Sequence, residues 1–127
     1  THSVLLATKS FWQGVDFPGQ TLTALIIDKL PFDSPGEPLV AARINFIKEK
    51  KGNPFMEYQL PAAIITLKQG LGRLIRNSND TGVLSVLDKR LITARYNKVI
   101  IRSLPGMPMI YDLSEMDNFL NTSYTDE

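Results

Sequence analysis

Three short apolar runs, "SVLLAT" (3–8), "LTALIID" (22–28) and "GVLSVLD" (82–88), are separated by stretches able to hold helices. This alternation restricts the fold more than any other feature. Such runs suit strands buried on both faces. Parallel strands need a crossover connection between them, and a helix usually supplies it. The expected fold class is therefore α/β, a parallel sheet flanked by helices. Three strands are few for a doubly wound sheet, so the sheet is expected to be incomplete.

The segments between the runs read as follows. "SFWQGVDFPG" (10–19) holds a candidate helix cap, Ser10, and a Pro18-Gly19 turn. "LPFDSPGEP" (30–38) is rich in proline and must be a loop. Residues 38–52 have helical spacing and end in lysines and a glycine, which suits a helix C-terminus. "NPF" interrupts the chain, and a long helix is expected from about Glu57 to Asn77. Residues 89–106 stay ambiguous: Val99-Ile100-Ile101 favours a strand, while the spacing of Leu91, Arg95, Val99 and Arg102 allows a helix. Ser114 is a candidate cap for a last helix through Leu120, with Asp117 at the capping-box position. Residues 121–127 read as a polar tail, and residues 1–127 as one domain.

Composition excludes several functions. There is no cysteine, hence no disulfide framework and no thiolate metal site. The one histidine, His2, cannot anchor a metal cluster by any visible spacing. A net charge of +1 does not announce nucleic acid or membrane by bulk charge. No apolar run approaches the roughly 20 residues that span a bilayer, and no signal peptide is visible. The expectation is a cytoplasmic chain with no membrane partner.

"QGLGRLIRNSNDTG" (69–82) poses a question, because two glycines and two arginines interrupt an apolar helix. At about 100° per residue, Gln69, Arg73 and Arg76 fall within about 60° of one another, with Gly72 beside them. Leu60, Ile64, Leu67, Leu71 and Leu74 fall on the opposite side. A glycine costs about 0.5–1 kcal/mol relative to alanine inside a helix. Gly72 leaves room for an approach to the backbone, and two guanidiniums with an amide beside that room suit a polyanion. By the helix pattern alone, the same residues read first as an ordinary solvated face with two surface arginines.

Gln69-x-x-Gly72-Arg73-x-x-Arg76 resembles motif VI of superfamily 2 helicases. "SFWQGVDFPG" resembles motif V of the branch containing the DinG and XPD helicases, and "IIDKLPF" (26–32), "TGVLSVLDKRL" (81–91) and "RSLP" (102–105) are similar to the segments around these motifs. The likeness runs from about Thr8 to Pro105 and is greatest to the bacterial DinG type.

The resemblance implies two RecA-like domains with ATP and Mg2+ between them. The sequence has no G-x-x-x-x-G-K-[ST] and no D-E-x-H. It therefore resembles part of the second RecA-like domain only, without motif IV, acting with the first helicase domain of the same polypeptide. The iron–sulphur cluster of many members belongs to the first domain, and nothing here speaks to it. By the same resemblance, Arg76 is the arginine finger. Arg73 is the other motif VI arginine, facing the γ-phosphate or the motif V loop. Gln69 orders the nucleotide side of the cleft. Gly14 has its backbone close to ligand or to motif VI, Asp16 lies near the nucleotide ribose or the motif VI arginines, Gly72 is nucleotide-binding, and Gln13 stands where the family has glutamate.

Thr8, Lys9, Ser10 and Trp12 are candidate contacts to single-stranded DNA, although at least one of Phe11 and Trp12 reads more readily as core beside the first strand. Arg43, Lys48, Lys50 and Lys51 form a basic helix end that can meet phosphates or simply be solvated. Asp88, Lys89 and Arg90 follow a strand end, where α/β ligands often sit, although Asp88 is equally a helix cap. The leading expectation is the motor half of an ATP-dependent 5′–3′ DNA helicase, inactive alone. The alternatives are a non-catalytic nucleic-acid-binding module and a structural protein. An unpaired sheet edge adds an expectation of self-association.

Overall fold

The computed structural model describes residues 3–9 and 22–123, with side chains described as far as residue 121. Two strands, β1 (Ala24–Ile27) and β2 (Val83–Val86), pair in parallel, with Ala24 opposite Val83 and Ile27 opposite Val86. Between them run α1 (Pro38–Glu49) and α2 (Leu60–Leu74), the latter entered through one π-helical turn over Phe55–Gln59. Three short helices follow β2: α3 (Arg90–Thr93), α4 (Asn97–Ser103) and α5 (Met116–Ser123), the last preceded by a 3-10 turn over Leu113–Glu115. The α/β class with a parallel sheet and flanking helices is as expected from the alternating runs.

The core lies between the sheet and one stripe of α2. Leu60, Ala63, Ile64, Leu67, Leu71 and Leu74 are buried along that stripe. Ile27, Leu30 and Ile100 join Leu60, Ile64 and Leu67 in one cluster. Its rim is aromatic, with the Phe55 ring 5.6 Å from Phe32 and 4.9 Å from Tyr96.

The ends of the helices have local causes. Pro38 sits in the first turn of α1, where its missing N–H costs nothing. After α1, the left-handed residue is Lys51 at φ 59°, not the glycine beside it. Gly52 is required for space instead, because a Cβ there would lie 2.8 Å from Ile47 Cγ2 and 2.3 Å from Glu57 Oε2. Asn53 and Glu57 start the next helix reciprocally: the Met56 amide donates to Asn53 Oδ1 at 3.2 Å, and the Asn53 amide to Glu57 Oε2 at 2.6 Å.

The structure corrects four expectations and settles one ambiguous stretch. Residues 3–8 belong to no strand and are exposed, Val4 and Leu6 at 91%. Strand preference measures fit to a pleated, half-buried surface, and no described element offers this run one. The ambiguous residues 89–106 hold two helices, α3 and α4, and the β-branched Ile100 of α4 is a core residue. Burial beside Ile27 overrides local preference there, and "RSLP" spans the end of α4, with Arg102 and Ser103 its last two residues. The last helical segment is capped by Asp112, whose carboxylate accepts from the Ser114 amide at 2.8 Å, and not by Ser114. Finally, α2 stops at Leu74, three residues before Asn77. The helix α5 reaches Ser123, inside the stretch that reads as a polar tail.

Candidate functional site

Gln69 and Gly72 are exposed on α2 and Arg73 is half-buried, while Leu67, Gly70, Leu71 and Leu74 of the same helix are buried. A Cβ built on Gly72 meets nothing within 4 Å, so no described residue requires a glycine there. The structure thus places Gln69, Gly72 and Arg73 at one solvent-facing part of α2 with open backbone between two polar side chains.

Arg76 does not share that helix. Ile75 is extended, at φ −118° and ψ 103°, and its amide closes the last helical bond to Leu71 at 2.9 Å. The Asp80 carboxylate provides the reason. Its Oδ2 accepts from the amides of Arg76 at 2.8 Å and Asn77 at 2.9 Å, offering the backbone an alternative to further helix. The Asp80 amide donates back to the Asn77 carbonyl at 3.1 Å, closing the turn. Arg76 is exposed on this loop. The wheel arithmetic that groups it with Gln69 and Arg73 therefore fails, although chain proximity keeps it beside them.

A second cluster forms where the two strands end. Asp88 follows β2, and its Oδ2 accepts from the Leu30 amide, after β1, at 2.9 Å. Arg90 binds the same carboxylate through Nη2 at 2.6 Å, and its own amide donates to Oδ1 at 3.0 Å. The Arg90 guanidinium holds the Asp88 carboxyl well below the usual carboxylate range, helped by the Leu30 and Arg90 amides against the cost of burial. Arg90 also lies over the Phe32 ring, 5.3 Å from its centroid. Asp88 is not the cap of α3, whose N-cap position is Lys89 with no side-chain capping bond; it accepts instead from Arg90 and from the Leu30 amide. The carboxylate is committed to protein donors.

Among the other candidates, Thr8 is exposed and the Lys9 ammonium pairs with the Asp33 carboxylate of the proline-rich loop. On α1, Arg43 stacks over Tyr58 at 5.4 Å and Lys50 over Phe46 at 5.7 Å. Ser10, Phe11, Trp12, Gln13, Gly14 and Asp16 lie outside the described residues. Sequence reasoning missed Asp80, although an aspartate in "NSNDTG" after a helix is a recognisable turn signal. Among the described residues, no group of three or more His, Asp or Glu could hold a metal ion, and no helix is long and apolar enough to cross a membrane. Gln69, Arg73 and the open backbone at Gly72 are of a kind that fits phosphate oxygens.

The sequence matches the family model described as the helicase C-terminal domain over residues 1–107. It is similar to the ATP-dependent DNA helicase YoaA of Haemophilus influenzae, 50% identical over 120 residues, which cover 94% of this chain and 19% of that protein. YoaA of Escherichia coli is 50% identical over 119 residues, covering 94% and 19%. The 3'-5' exonuclease DinG of Bacillus subtilis is 46% identical over 104 residues, covering 82% and 11%. The chain therefore spans about a fifth or less of the length of these relatives.

Proposed function

Since this chain belongs to the helicase C-terminal domain family, we propose that it is the part of an ATP-dependent DNA helicase that closes over bound nucleotide, with Arg76 as arginine finger. The observation that carries this reading is the break between Leu74 and Arg76. A motif VI helix packs its leucines on the sheet, exposes Gln69 and Gly72, and then hands Arg76 to a short loop tied by Asp80. The Arg76 backbone therefore lies beyond the end of the rigid helix, in an exposed loop.

In this reading the triphosphate lies between the first helicase domain and this one. Gln69 and Arg73 orient it, and the bare backbone at Gly72 admits a close approach. Arg76 stabilises the negative charge that develops on the transferring phosphoryl group. Mg2+, where bound, neutralises phosphate charge, and its ligands belong to the first domain. Gly14 and Asp16 complete the nucleotide side. Thr8, Lys9, Ser10 and Trp12 face single-stranded DNA, along which the enzyme moves 5′ to 3′. The similarity to YoaA and DinG supports this assignment.

The test is the full-length enzyme carrying Arg76→Ala. ATP binding is expected to persist while DNA-stimulated hydrolysis falls about a thousandfold. Retention of more than about a tenth of the rate in folded protein would end the assignment.

A second reading is a nucleic-acid-binding module without catalysis. The basic, aromatic-backed surface of α1 favours it, with Arg43 on Tyr58 and Lys50 on Phe46. Salt-sensitive DNA binding by a full-length protein lacking any phosphate-loop segment would decide for it.

A further inference from the structure

We propose that Asp80 is the positioning residue of Arg76, its carboxylate fixing the backbone from which the guanidinium reaches the phosphoryl group. The inference rests on the arginine-finger reading of Arg76. A finger carried within a helix is held by the helix itself. Arg76 is not, because α2 ends at Leu74 and residues 75–82 form neither helix nor strand.

What holds the loop is a small set of bonds centred on one oxygen. Asp80 Oδ2 takes the amide of Arg76 at 2.8 Å and that of Asn77 at 2.9 Å. Bonds from backbone amides to an ionised acceptor are about twice as strong as neutral ones. The Asp80 amide returns to the Asn77 carbonyl at 3.1 Å, so the carboxylate is itself fixed by the turn it closes. At the far end, the Gly82 backbone rests against Leu74, where a Cβ would stand 2.6 Å from Leu74 Cδ1. The loop thus leaves α2 and returns beside its last residue, with Arg76 at its start. A displacement of about 1 Å at a reacting group costs about a hundredfold in rate. Gln69 and Arg73 lie on α2, outside this loop, so loss of these bonds is expected to act at Arg76 rather than at them.

The experiment compares Asp80→Ala, Asp80→Asn, Arg76→Ala and the Arg76→Ala/Asp80→Ala double variant in the full-length protein. It reads kcat and KM for DNA-stimulated ATP hydrolysis, and amide hydrogen exchange over residues 75–82. Asp80→Ala is expected to lower kcat about tenfold to a hundredfold, with KM for ATP within about twofold of the parent. Asp80→Asn keeps an acceptor oxygen and is expected to recover most of the loss. The double variant is expected to be no slower than Arg76→Ala alone. The Arg76 and Asn77 amides are expected to exchange faster in Asp80→Ala and at the parental rate in Arg76→Ala.

A parental kcat in Asp80→Ala with deprotected amides would overturn the proposal, as would a double variant slower by the product of both effects. Unchanged exchange in Asp80→Ala would remove its physical basis. If Asp80→Ala does not fold, Asp80→Glu, which displaces the carboxylate by one methylene, carries the test: kcat is expected to fall with the Arg76 and Asn77 amides deprotected, and a parental kcat with deprotected amides overturns the proposal. A near-parental rate in Arg76→Ala would instead defeat the finger reading, while the exchange data would still report whether Asp80 holds the loop.

Discussion

The Leu30 amide donates to Asp88 Oδ2 at 2.9 Å, so the segments leaving the two parallel strands are tied together at their C-terminal ends. Arg90 binds the same carboxylate and lies over Phe32, which extends the tie to the aromatic rim of the core. Asp88→Asn keeps the shape but removes the charge that Arg90 and both amides face. It is expected to destabilise this domain by about 1–3 kcal/mol, the range for a hydrogen bond to a charged group. Because the folded carboxyl titrates below the unfolded one, its contribution is fully present above the unfolded pKa of about 3.9 and is lost as pH falls below it. The stability gap between parent and variant is thus expected to be constant between about pH 5 and 8 and to narrow below about pH 4. Amide exchange in the strands across this pH range measures it.

Arg76→Lys is expected to leave hydrolysis close to that of Arg76→Ala, because an ammonium lacks the planar fork of a guanidinium. ATP affinity is expected to stay near the parental value, since an arginine finger, the role proposed for Arg76, acts where charge develops in the transition state. Single-turnover hydrolysis alongside equilibrium nucleotide binding separates the two. A lysine variant working at the parental rate would show that only a point charge is needed.

Gly72→Ala and Gly82→Ala are expected to move in opposite directions. A Cβ on Gly72 meets nothing within 4 Å, and alanine suits a helix by about 1 kcal/mol over glycine. The fold is therefore expected to be slightly stabilised, while hydrolysis is expected to fall if, as proposed, that space faces nucleotide. A Cβ on Gly82 would press on Leu74 at 2.6 Å, so Gly82→Ala is expected to cost about 1–3 kcal/mol. Thermal unfolding with ATPase assays checks both, and a fully active Gly72→Ala enzyme would remove that residue from the nucleotide side.

The 127-residue chain by itself is expected not to hydrolyse ATP, because its sequence has no phosphate loop to position the triphosphate. DNA-stimulated turnover by the purified chain would refute this.

The same isolated chain is expected to self-associate. Val4 and Leu6 are 91% exposed and Ile26 on β1 is 67% exposed, so apolar surface lies open, and the sheet has two described strands. Light scattering that reports a monomer at high concentration would count against it.

The helical stripe from Leu60 to Leu74 was legible in the sequence, because a 3.6-residue period of leucines has one packing solution and needs no distant partner to be recognised. The parallel pairing of β1 and β2 followed from runs separated by helix-length segments, and so did the α/β class. Motif VI was legible as a pattern of residue types, with Gln69, Gly72 and Arg73 exposed or half-buried where the period puts them. The end of α2 was not legible by period. Arg76 continues the helical spacing, but Asp80 withdraws its backbone from the helix with two hydrogen bonds that depend on the turn closing. Residues 3–8 and 99–101 carry the same β-branched and aliphatic character, yet the first lies exposed outside any strand and the second turns helical to bury Ile100. Short apolar runs fit strand or helix about equally well, so the neighbour that buries them chooses. Sequence determined which residues seek burial and which carry charge; tertiary structure decided where the backbone stops, because a helix end or a strand exists only when partner groups arrive to satisfy it.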